Sequence, residues 1–385
     1  MYQNLSFGDV IPAIKMFYFK NHDFLLRKKL IKYLGNVNLS FFDSGRAALR
    51  YVLKNRINKN KKYILVPSFT CEVVPIEVIK SNLKPIYYDS SPETVEVFKN
   101  IKKSYNDQVG GVIYQHSFGV HKNIKNIIKF CKFNKIILIE DKALCMFSKK
   151  KKVKELQGDY AYYSLECSKT VTTRMGGILI YDKKINLNIN YKYSLIKKLI
   201  SDFRTFISIF SYNLKGDLGF IFRKILIISR IILPSITKAE LKMDKINSNV
   251  FYDLTNFQKC ILLYQLYKLP NLKKLNKKNI NFWKSCLKDL KLENIKFYSN
   301  YFPLRLMYNG SKSQKVKKIL VENGLKQEDW FLGGVGSKNF PHKSINFNIN
   351  KYKDTKVFCS NYTNLPTMIY LSKELKNSIK VNLEK

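Results

Sequence analysis

The chain has 385 residues, of which 45% are hydrophobic and 14% aromatic, and its formal net charge is +41. This composition excludes an intrinsically disordered chain and allows a large buried core. The charge alone suggests binding to nucleic acid. However, the excess is mostly lysine spread along the whole chain, beside abundant Asn, Ile, Tyr and Phe, which is typical of a biased codon choice. We therefore expect no nucleic acid among the partners of the protein.

The cysteines and the N-terminal segment indicate a reducing compartment. None of the seven cysteines has the CxxC or Cys/His spacing of a metal site, so we expect free thiols and no bound metal. The first residues, MYQNLSFGDVIPAIKMFYF, lack the basic and then apolar regions of a signal peptide. No uncharged apolar run reaches the roughly 18 residues that a spanning helix needs. These features predict a cytoplasmic protein.

Between residues 38 and 182, short apolar runs alternate with helical patterns. Strands are predicted at 40–42, 62–68, 85–89, 110–116 and 135–141, and helices at 46–56, 72–82 (interrupted by Pro75) and 123–134. Strands separated by helices imply crossover connections and a largely parallel, buried sheet, and hence an α/β fold. Catalytic groups of such sheets gather at the carboxyl ends of the strands, where Asp141 falls.

The stretch 195–234 is unusually apolar and carries basic residues. Apolar residues at 195, 196, 199, 200, 203, 206, 207 and 210 form a helical stripe. One interpretation is a pair of helices that is buried or forms a dimer interface. The other is peripheral contact with an anionic membrane, because basic and apolar residues together suit that surface. Beyond Pro270, a strand at 302–308 and a helix over 313–325 predict a smaller α/β region.

Four polar features stand in an order that suits pyridoxal phosphate (PLP). Ser164 lies five residues before Lys169, and glycines follow at 176–177. Each feature alone has an ordinary interpretation. Lys169 could be one more of the many lysines, Asp141 could lie in a surface turn, and residues 44–45 could cap a helix. Together they offer an amine, a carboxylate for the pyridine nitrogen, and a helix N-terminus for the phosphate. The spacing alone leaves the choice open.

Several segments, in order, resemble the DegT-type family of PLP-dependent nucleotide-sugar aminotransferases. They are FFDSGRAAL, VPSFTC, KPIYYDSSPET, VIYQHSFG, KIILIEDKA and GDYAYYSLECSKTVTTRMGG, with weaker likeness in YDLTNFQKCILLYQLYKL and NLPT. The resemblance implies the type I fold of aspartate aminotransferase, with a mainly parallel seven-stranded sheet flanked by helices. It implies a large PLP-binding domain over 1–245, containing the helical insert at 195–234, and a smaller C-terminal α/β domain over 246–385.

The resemblance also assigns the site. Lys169 matches the catalytic Schiff-base lysine that moves the proton, and Asp141 matches the partner of the pyridine nitrogen. The other cofactor-binding positions are Gly45, Arg46, Ala47, Cys71, Ser164 and Asn249, the last of which compensates for the family's Asn that reaches the partner subunit's cofactor phosphate. His116 either lines the substrate pocket or is a hydrogen-bonded structural histidine.

Some positions depart from the family's pattern. Cys71 replaces an aromatic residue that stacks on the cofactor, and Leu144 replaces a His or Gln. Arg174 and Met175 replace the Gly-Glu of the family's GEGG motif. Phe251 and Asp253 replace the Asn and Arg of its NYR motif, and Met368 replaces the final His. The Schiff-base lysine, Lys169, and the partner of the pyridine nitrogen, Asp141, are kept. The positions that face the substrate or reach the partner subunit differ from the family. The resemblance therefore supports the cofactor more strongly than any particular sugar.

The implied function is transfer of an amino group from an amino acid, with glutamate as the expected donor, to a nucleotide-linked keto-sugar. The expected setting is bacterial lipopolysaccharide or other surface polysaccharide synthesis, and the expected assembly is a homodimer. One alternative is a PLP sugar dehydratase, which would have His in place of Lys169. Another is a degenerate, non-catalytic member that binds a sugar nucleotide or a partner, at the membrane surface through 195–234.

Overall fold

The computed structural model describes residues 5–18, 21–92, 97–119, 124–148, 154–214, 216–232, 249–289, 301–325 and 330–384. The strands are β1 (Asn38–Phe42), β2 (Tyr63–Pro67), β3 (Lys84–Tyr88), β4 (Val109–Gln115), β5 (Ile137–Asp141), β6 (Cys145–Ser148), β7 (Tyr160–Ser164), β8 (Gly177–Tyr181), β9 (Tyr301–Pro303), β10 (Arg305–Asn309) and β11 (Tyr362–Pro366). The domain boundary expected at 245/246 lies outside the described residues.

The helices connect and cover these strands. They are α1 (Val10–Phe17), α2 (His22–Leu34), α3 (Gly45–Asn55), α4 (Val73–Lys80), α5 (Val97–Ser104), α6 (Ile124–Phe133), α7 (Leu195–Asn213), α8 (Gly216–Ile228), α9 (Asn256–Asp289), α10 (Ser313–Glu322), α11 (Lys353–Ser360) and α12 (Lys373–Glu384). Short 3-10 turns occur at Phe7–Asp9, Ser117–Gly119, His342–Ile345 and Ile349–Lys351. Because α4 begins at Val73, Pro75 lies in its first turn and does not interrupt it.

Seven strands form one sheet in the order β1-β8-β7-β5-β4-β2-β3. The pairs β2–β3, β2–β4, β4–β5 and β5–β7 are parallel, and β8 runs antiparallel to both of its neighbours. The expected fold class, a mainly parallel seven-stranded sheet flanked by helices, is confirmed. The carboxyl ends of β4, β5 and β7 consequently lie at the same edge.

Helices cover both faces of this sheet because successive strand residues point to opposite sides. In β2, Ile64 and Val66 pack with the apolar residues of α3 and α4, whereas Leu65 packs with α5 and α6. Leucines of α2 and α9 cover the other strands, where they contact Phe41 and Ile178. The strands are therefore almost continuously apolar, as buried parallel strands are.

The expected strand at 302–308 is divided at Leu304. Its first part, β9, pairs with β6, and its second part, β10, pairs with β11. The amide of Leu304 donates to the carbonyl of Leu144 at 3.3 Å. One continuous apolar run thus serves two separate sheets, which the sequence pattern alone does not show.

Helix α7 has the reverse of the usual distribution of apolar residues. Its buried positions are Thr205, Ser208, Ile209 and Ser211. Seven apolar residues are exposed instead, namely Leu195, Ile196, Leu199, Ile200, Phe203, Phe206 and Phe210. The interpretation that this stripe is buried within the chain is therefore wrong. No helix among the residues that the structure describes is long and apolar enough to cross a bilayer.

Candidate active site

A cavity of about 570 Å³ lies at the carboxyl edge of the main sheet. Gln115, Asp141 and Ser164, the last residues of β4, β5 and β7, line it together with Lys169. The N-terminal end of α3 also borders the cavity. Parallel strand ends and a helix N-terminus thus converge on one space, which is where α/β proteins bind ligands.

The first turn of α3 forms one corner of the cavity. Ser44 caps the helix, since its Oγ accepts the Ala47 amide at 3.1 Å. A Cβ atom added at Gly45 would lie 3.2 Å from Ser164 Cβ. These residues therefore bring a helix N-terminus against a serine hydroxyl, an arrangement suited to a phosphate. The Ala47 amide, which the resemblance assigns to the phosphate, is occupied by the cap.

Gly177 is required at this corner. A Cβ atom on Gly177 would lie only 2.6 Å from the backbone of Ser44 and from the Gly45 nitrogen. Side chains do not tolerate such distances without a shift of the backbone. The glycine at the start of β8 therefore allows the turn before α3 to lie against the sheet.

Asp141 is almost completely buried at the end of β5. Its Oδ1 accepts the amide of Ala143 at 2.8 Å. Burial raises the pKa of Asp141, and the Tyr162 hydroxyl, the Ala143 amide and the Lys169 charge only partly offset this effect. A carboxylate in this position gains from a cation beside it, and a protonated pyridine nitrogen is such a cation.

Lys169 lies in a tight turn after β7. Its amide donates to the Glu166 carbonyl at 2.9 Å, and its Nζ lies 5.5 Å from the centre of the Trp330 ring. Burial alone would raise the pKa of Glu166. This effect is outweighed by the Lys169 ammonium, the Cys167 thiol, and the hydroxyl and amide of Ser168, so the pKa of Glu166 is lowered. The cavity therefore holds a lysine beside an ionised carboxylate.

Cys71 lines the cavity, but three other predicted residues, Ala47, His116 and Asn249, do not. Cys71 Sγ lies 3.5 Å from Glu72 Oε2, and burial raises the pKa of the thiol, which stays protonated. His116 is fully buried and bonded to Glu140, so the structure does not bring it to the cavity. Asn249 is exposed and accepts a bond from Lys54 Nζ at 3.1 Å.

A buried network of charged residues supports the end of β5. Glu140 Oε1 accepts the amides of Gln157 and Gly158 at 2.6 and 2.7 Å. Lys142 Nζ lies 3.7 Å from Glu140 and 3.4 Å from Glu155. Burial alone would raise the pKa of Glu140, but Lys142 and His116 lower it to about 2. The residues next to Asp141 are thereby fixed on both sides.

Sequence reasoning missed Trp330, whose ring borders the cavity. Trp330 precedes a glycine-rich loop in which Gly334 accepts the Thr70 amide at 3.1 Å and Gly336 donates to the Thr70 carbonyl at 2.8 Å. These bonds hold a segment from the C-terminal part of the chain over the residues after β2. No local motif marks Trp330, because its position depends on this long-range contact.

The family resemblance is confirmed over part of the chain. Residues 20–199 match the model of the DegT/DnrJ/EryC1/StrS aminotransferase family. GDP-perosamine synthase of Escherichia coli O157:H7 is 27% identical over 124 residues, which are 31% of this chain and 34% of that enzyme. The match thus spans about a third of the length of this relative.

Solved structures of sugar-modifying enzymes share the fold. Helicobacter pylori PseC, an aminotransferase involved in the biosynthesis of pseudoaminic acid, superposes with a TM-score of 0.68 at 15% identity over 100% of this chain and 98% of that one. GDP-4-keto-6-deoxy-D-mannose-3-dehydratase of E. coli, with bound hydrated PLP, gives 0.66 at 15% identity over 100% and 97%. One fold therefore accommodates both aminotransferases and a dehydratase.

Proposed function

On the premise that residues 20–199 match an aminotransferase family, we propose that this protein transfers an amino group from an amino acid to a nucleotide-linked keto-sugar, with PLP as cofactor. The observation that carries the proposal is the meeting of Lys169, Asp141 and Ser164 in one cavity, at the N-terminus of α3. An amine, a buried carboxylate and a phosphate corner are the three groups that the cofactor requires.

The residues fit the cofactor in size and charge. The corner formed by Gly45 and Ser164 suits the phosphate, and the buried Asp141 carboxylate suits a protonated pyridine nitrogen. Cys71 presents a small, neutral thiol where the resemblance implies an aromatic ring. Trp330 is the aromatic residue whose ring lies near Lys169, and it supplies apolar surface on that side.

PLP, when bound, supplies an electron sink for the carbon from which a proton is removed. Lys169 Nζ would hold the cofactor covalently, and once released it would carry the proton to and from the reacting carbon. Asp141 would supply a carboxylate for the protonated ring nitrogen. Leu144 and Trp330 line the cavity and limit the access of water.

The reaction has two halves. In the first half, water supplies the keto oxygen of the donor, for which we expect glutamate, and the donor leaves as its keto acid while its amine is retained at the site. In the second half, the keto-sugar gains that amine and releases water, so ping-pong kinetics follow. The presence of Lys169 favours this reaction over the dehydratase, since the resemblance implies His at that position of dehydratases.

A nucleotide-linked sugar is proposed as acceptor because the relatives act in that chemistry. One relative is a GDP-perosamine synthase, and the fold is shared with PseC. We expect the product to enter lipopolysaccharide or another surface polysaccharide, and the protein to act in the cytoplasm. Gln115, Arg50 and Arg204 line the cavity and offer polar contacts for the acceptor.

We also propose a homodimer, in which the stripe on α7 contacts the second copy. At least seven apolar residues of α7 are exposed, and Phe206 and Phe210 each lie 6.0 Å from the ring of Phe7. Exposed apolar patches of this kind mark interaction surfaces. Contact with an anionic membrane through this insert is the competing hypothesis, since Lys197, Lys198 and Arg223 accompany the stripe.

The absorbance of the purified protein after incubation with PLP tests the proposed function. We expect a near-visible band that changes on addition of L-glutamate and is absent in Lys169→Ala. Lys154→Ala, which removes an exposed lysine outside the cavity, serves as control and should keep the band. A wild-type protein that takes up no PLP would favour the degenerate, non-catalytic member instead.

A further inference from the structure

Arg174 has an unfavourable backbone conformation. Its φ is +71°, in a region that a residue with a Cβ atom seldom adopts, and its amide donates to Thr172 Oγ1 at 2.9 Å. The family resemblance places a glycine here, which adopts this conformation freely. Strained residues persist where their surroundings hold them, and they concentrate at functional sites. An arginine in place of glycine therefore calls for a role of its side chain.

The guanidinium is held rigidly at the wall of the cavity. Arg174 is only 6% exposed, and it lines the same cavity as Lys169. Its Nε donates to Ser208 Oγ at 2.8 Å, and Nη2 bonds to the same oxygen. The ring of Tyr212 lies 4.3 Å from Arg174 Cζ. Ser208 and Tyr212 of α7 thus fix the orientation of this side chain.

One nitrogen of this guanidinium is left for a ligand. Nη1 of Arg174 is buried and has no hydrogen-bond partner among the residues that the structure describes. Glu166, whose backbone pairs with Arg174, directs its carboxylate to the amide and hydroxyl of Ser168 at 2.9 and 2.6 Å. A buried cation with unpaired donors is costly unless an anion joins it. The vacant donors therefore point to an oxyanion as ligand.

We propose that Arg174 binds a carboxylate of the amino-acid donor, an inference that rests on the proposed aminotransferase function. Arg174 and Lys169 are both backbone neighbours of Glu166, through the bridge between residues 166 and 174 and the bond from the Lys169 amide to the Glu166 carbonyl. The carboxylate of an amino acid is one carbon away from the amine that must reach Lys169. The diphosphate of a sugar nucleotide lies farther from the reacting carbon.

Tyr212 adds a second donor to this site. Its side chain lines the cavity, and burial raises the pKa of its hydroxyl. The charge of Arg174 and its bond to the hydroxyl oxygen only partly offset this effect, so the hydroxyl keeps its proton. A carboxylate in this position accepts charge-assisted bonds from Arg174 and a neutral bond from Tyr212. Because Ser208 and Tyr212 belong to α7, the helical insert itself shapes the donor site.

Calorimetric titration of the PLP-loaded protein with glutarate, an unreactive dicarboxylate, tests this proposal. Arg174→Gly should bind glutarate about 10- to 100-fold more weakly, as expected from loss of a charged hydrogen bond. This variant fits the positive φ, and thermal unfolding verifies its fold. Arg174→Lys keeps the charge and should lose less. Arg56→Gln, which removes an exposed arginine outside the cavity, is the control and should bind as the wild type does.

Titration with uridine diphosphate distinguishes the two possible oxyanions, namely the carboxylate of the amino-acid donor and the diphosphate of the sugar nucleotide. We expect Arg174→Gly to bind this nucleotide as the wild type does. The proposal is overturned if Arg174→Gly binds glutarate as tightly as the wild type does, or if the wild type does not bind glutarate. It is also overturned if Arg174→Gly selectively loses nucleotide binding. Glutarate binding requires no turnover, so a wild-type protein that binds glutarate but fails to react with L-glutamate would contradict the aminotransferase alone.

Discussion

His116 Nε2 lies 2.7 Å from Glu140 Oε2, and both side chains are completely inaccessible to solvent. Glu140 also accepts two backbone amides and faces Lys142, so its charge is compensated from several sides. Glu140→Gln should therefore be destabilising by about 3–5 kcal/mol at pH 7, because Lys142 loses a buried partner. Urea unfolding followed by circular dichroism measures this loss.

The same variant changes the response to acid. The pKa of Glu140 is lowered from 4.5 to about 2, so its ionised form stabilises the fold above pH 4.5, and this contribution disappears as the pH falls towards 2. Glu140→Gln should show a smaller loss of stability between these pH values than wild type. Glu322→Gln breaks only the exposed pair with Lys318 and serves as control. Identical stability of the Glu140→Gln and Glu322→Gln variants would contradict the importance of the network.

The sequence predicted β4 and β5, whose ends line the cavity, because their apolar runs are buried on both faces, but it did not predict β7. It also placed Asp141 at the end of β5, where the structure has it. It failed where position depends on distant contacts. Trp330 reaches the cavity through bonds of its loop to Thr70, and His116 is withdrawn from the cavity by the buried Glu140.

The helical insert shows another limit of sequence patterns. The stripe on α7 has the period of a helix, and periodicity normally indicates the face that points to the core. In this protein the opposite face, with Thr205 and Ser208, is buried because it borders the cavity and contacts Arg174. A period identifies an apolar face but does not say what covers it.

Gly177 provides a test of the phosphate corner. Gly177→Ala would place a methyl group 2.6 Å from the Ser44 carbonyl and the Gly45 amide nitrogen, so the first turn of α3 must move. Such overpacking costs about 1–3 kcal/mol, and we expect PLP affinity to fall roughly 5- to 150-fold. Fluorescence titration with PLP measures it. Gly8→Ala meets only Ser6 Oγ at 3.7 Å and should have no effect. An unchanged affinity of Gly177→Ala would contradict the assignment of this corner.

Asp141→Asn should separate cofactor attachment from catalysis. Lys169 can still hold PLP, but the neutral amide gives no electrostatic support to a protonated ring, and we expect a rate loss of about 10²–10³-fold. Single-turnover kinetics with L-glutamate measure this rate. Asp182→Asn removes a carboxylate outside the cavity that accepts the nearby Lys184 amide, and it should leave the rate unchanged.

The pH dependence of PLP affinity gives a second test of Asp141. Because burial raises the pKa of Asp141, a proton competes with the cofactor's cation at a higher pH than for an ordinary aspartate. The affinity of the wild type for PLP should therefore fall as the pH decreases towards the raised pKa of Asp141. This fall should be larger than the one that the titration of PLP alone causes. The Asp141→Asn variant should lack that additional fall. Parallel profiles for the two proteins would show that Asp141 does not face the ring nitrogen.

The exposed stripe on α7 could contact a second copy of the chain or an anionic membrane, and the two hypotheses predict different results for a variant of Phe203. Phe203 is 56% exposed in the middle of the stripe, and Phe133, at the end of α6, is 87% exposed. If a second copy covers the stripe, Phe203→Asp should convert a dimer to monomers in analytical ultracentrifugation, because an unpaired charge would be buried at the interface. Phe133→Asp should leave the dimer intact. A wild-type monomer that co-sediments with anionic liposomes, and whose Phe203→Asp variant does not, would instead show that α7 rests on a membrane.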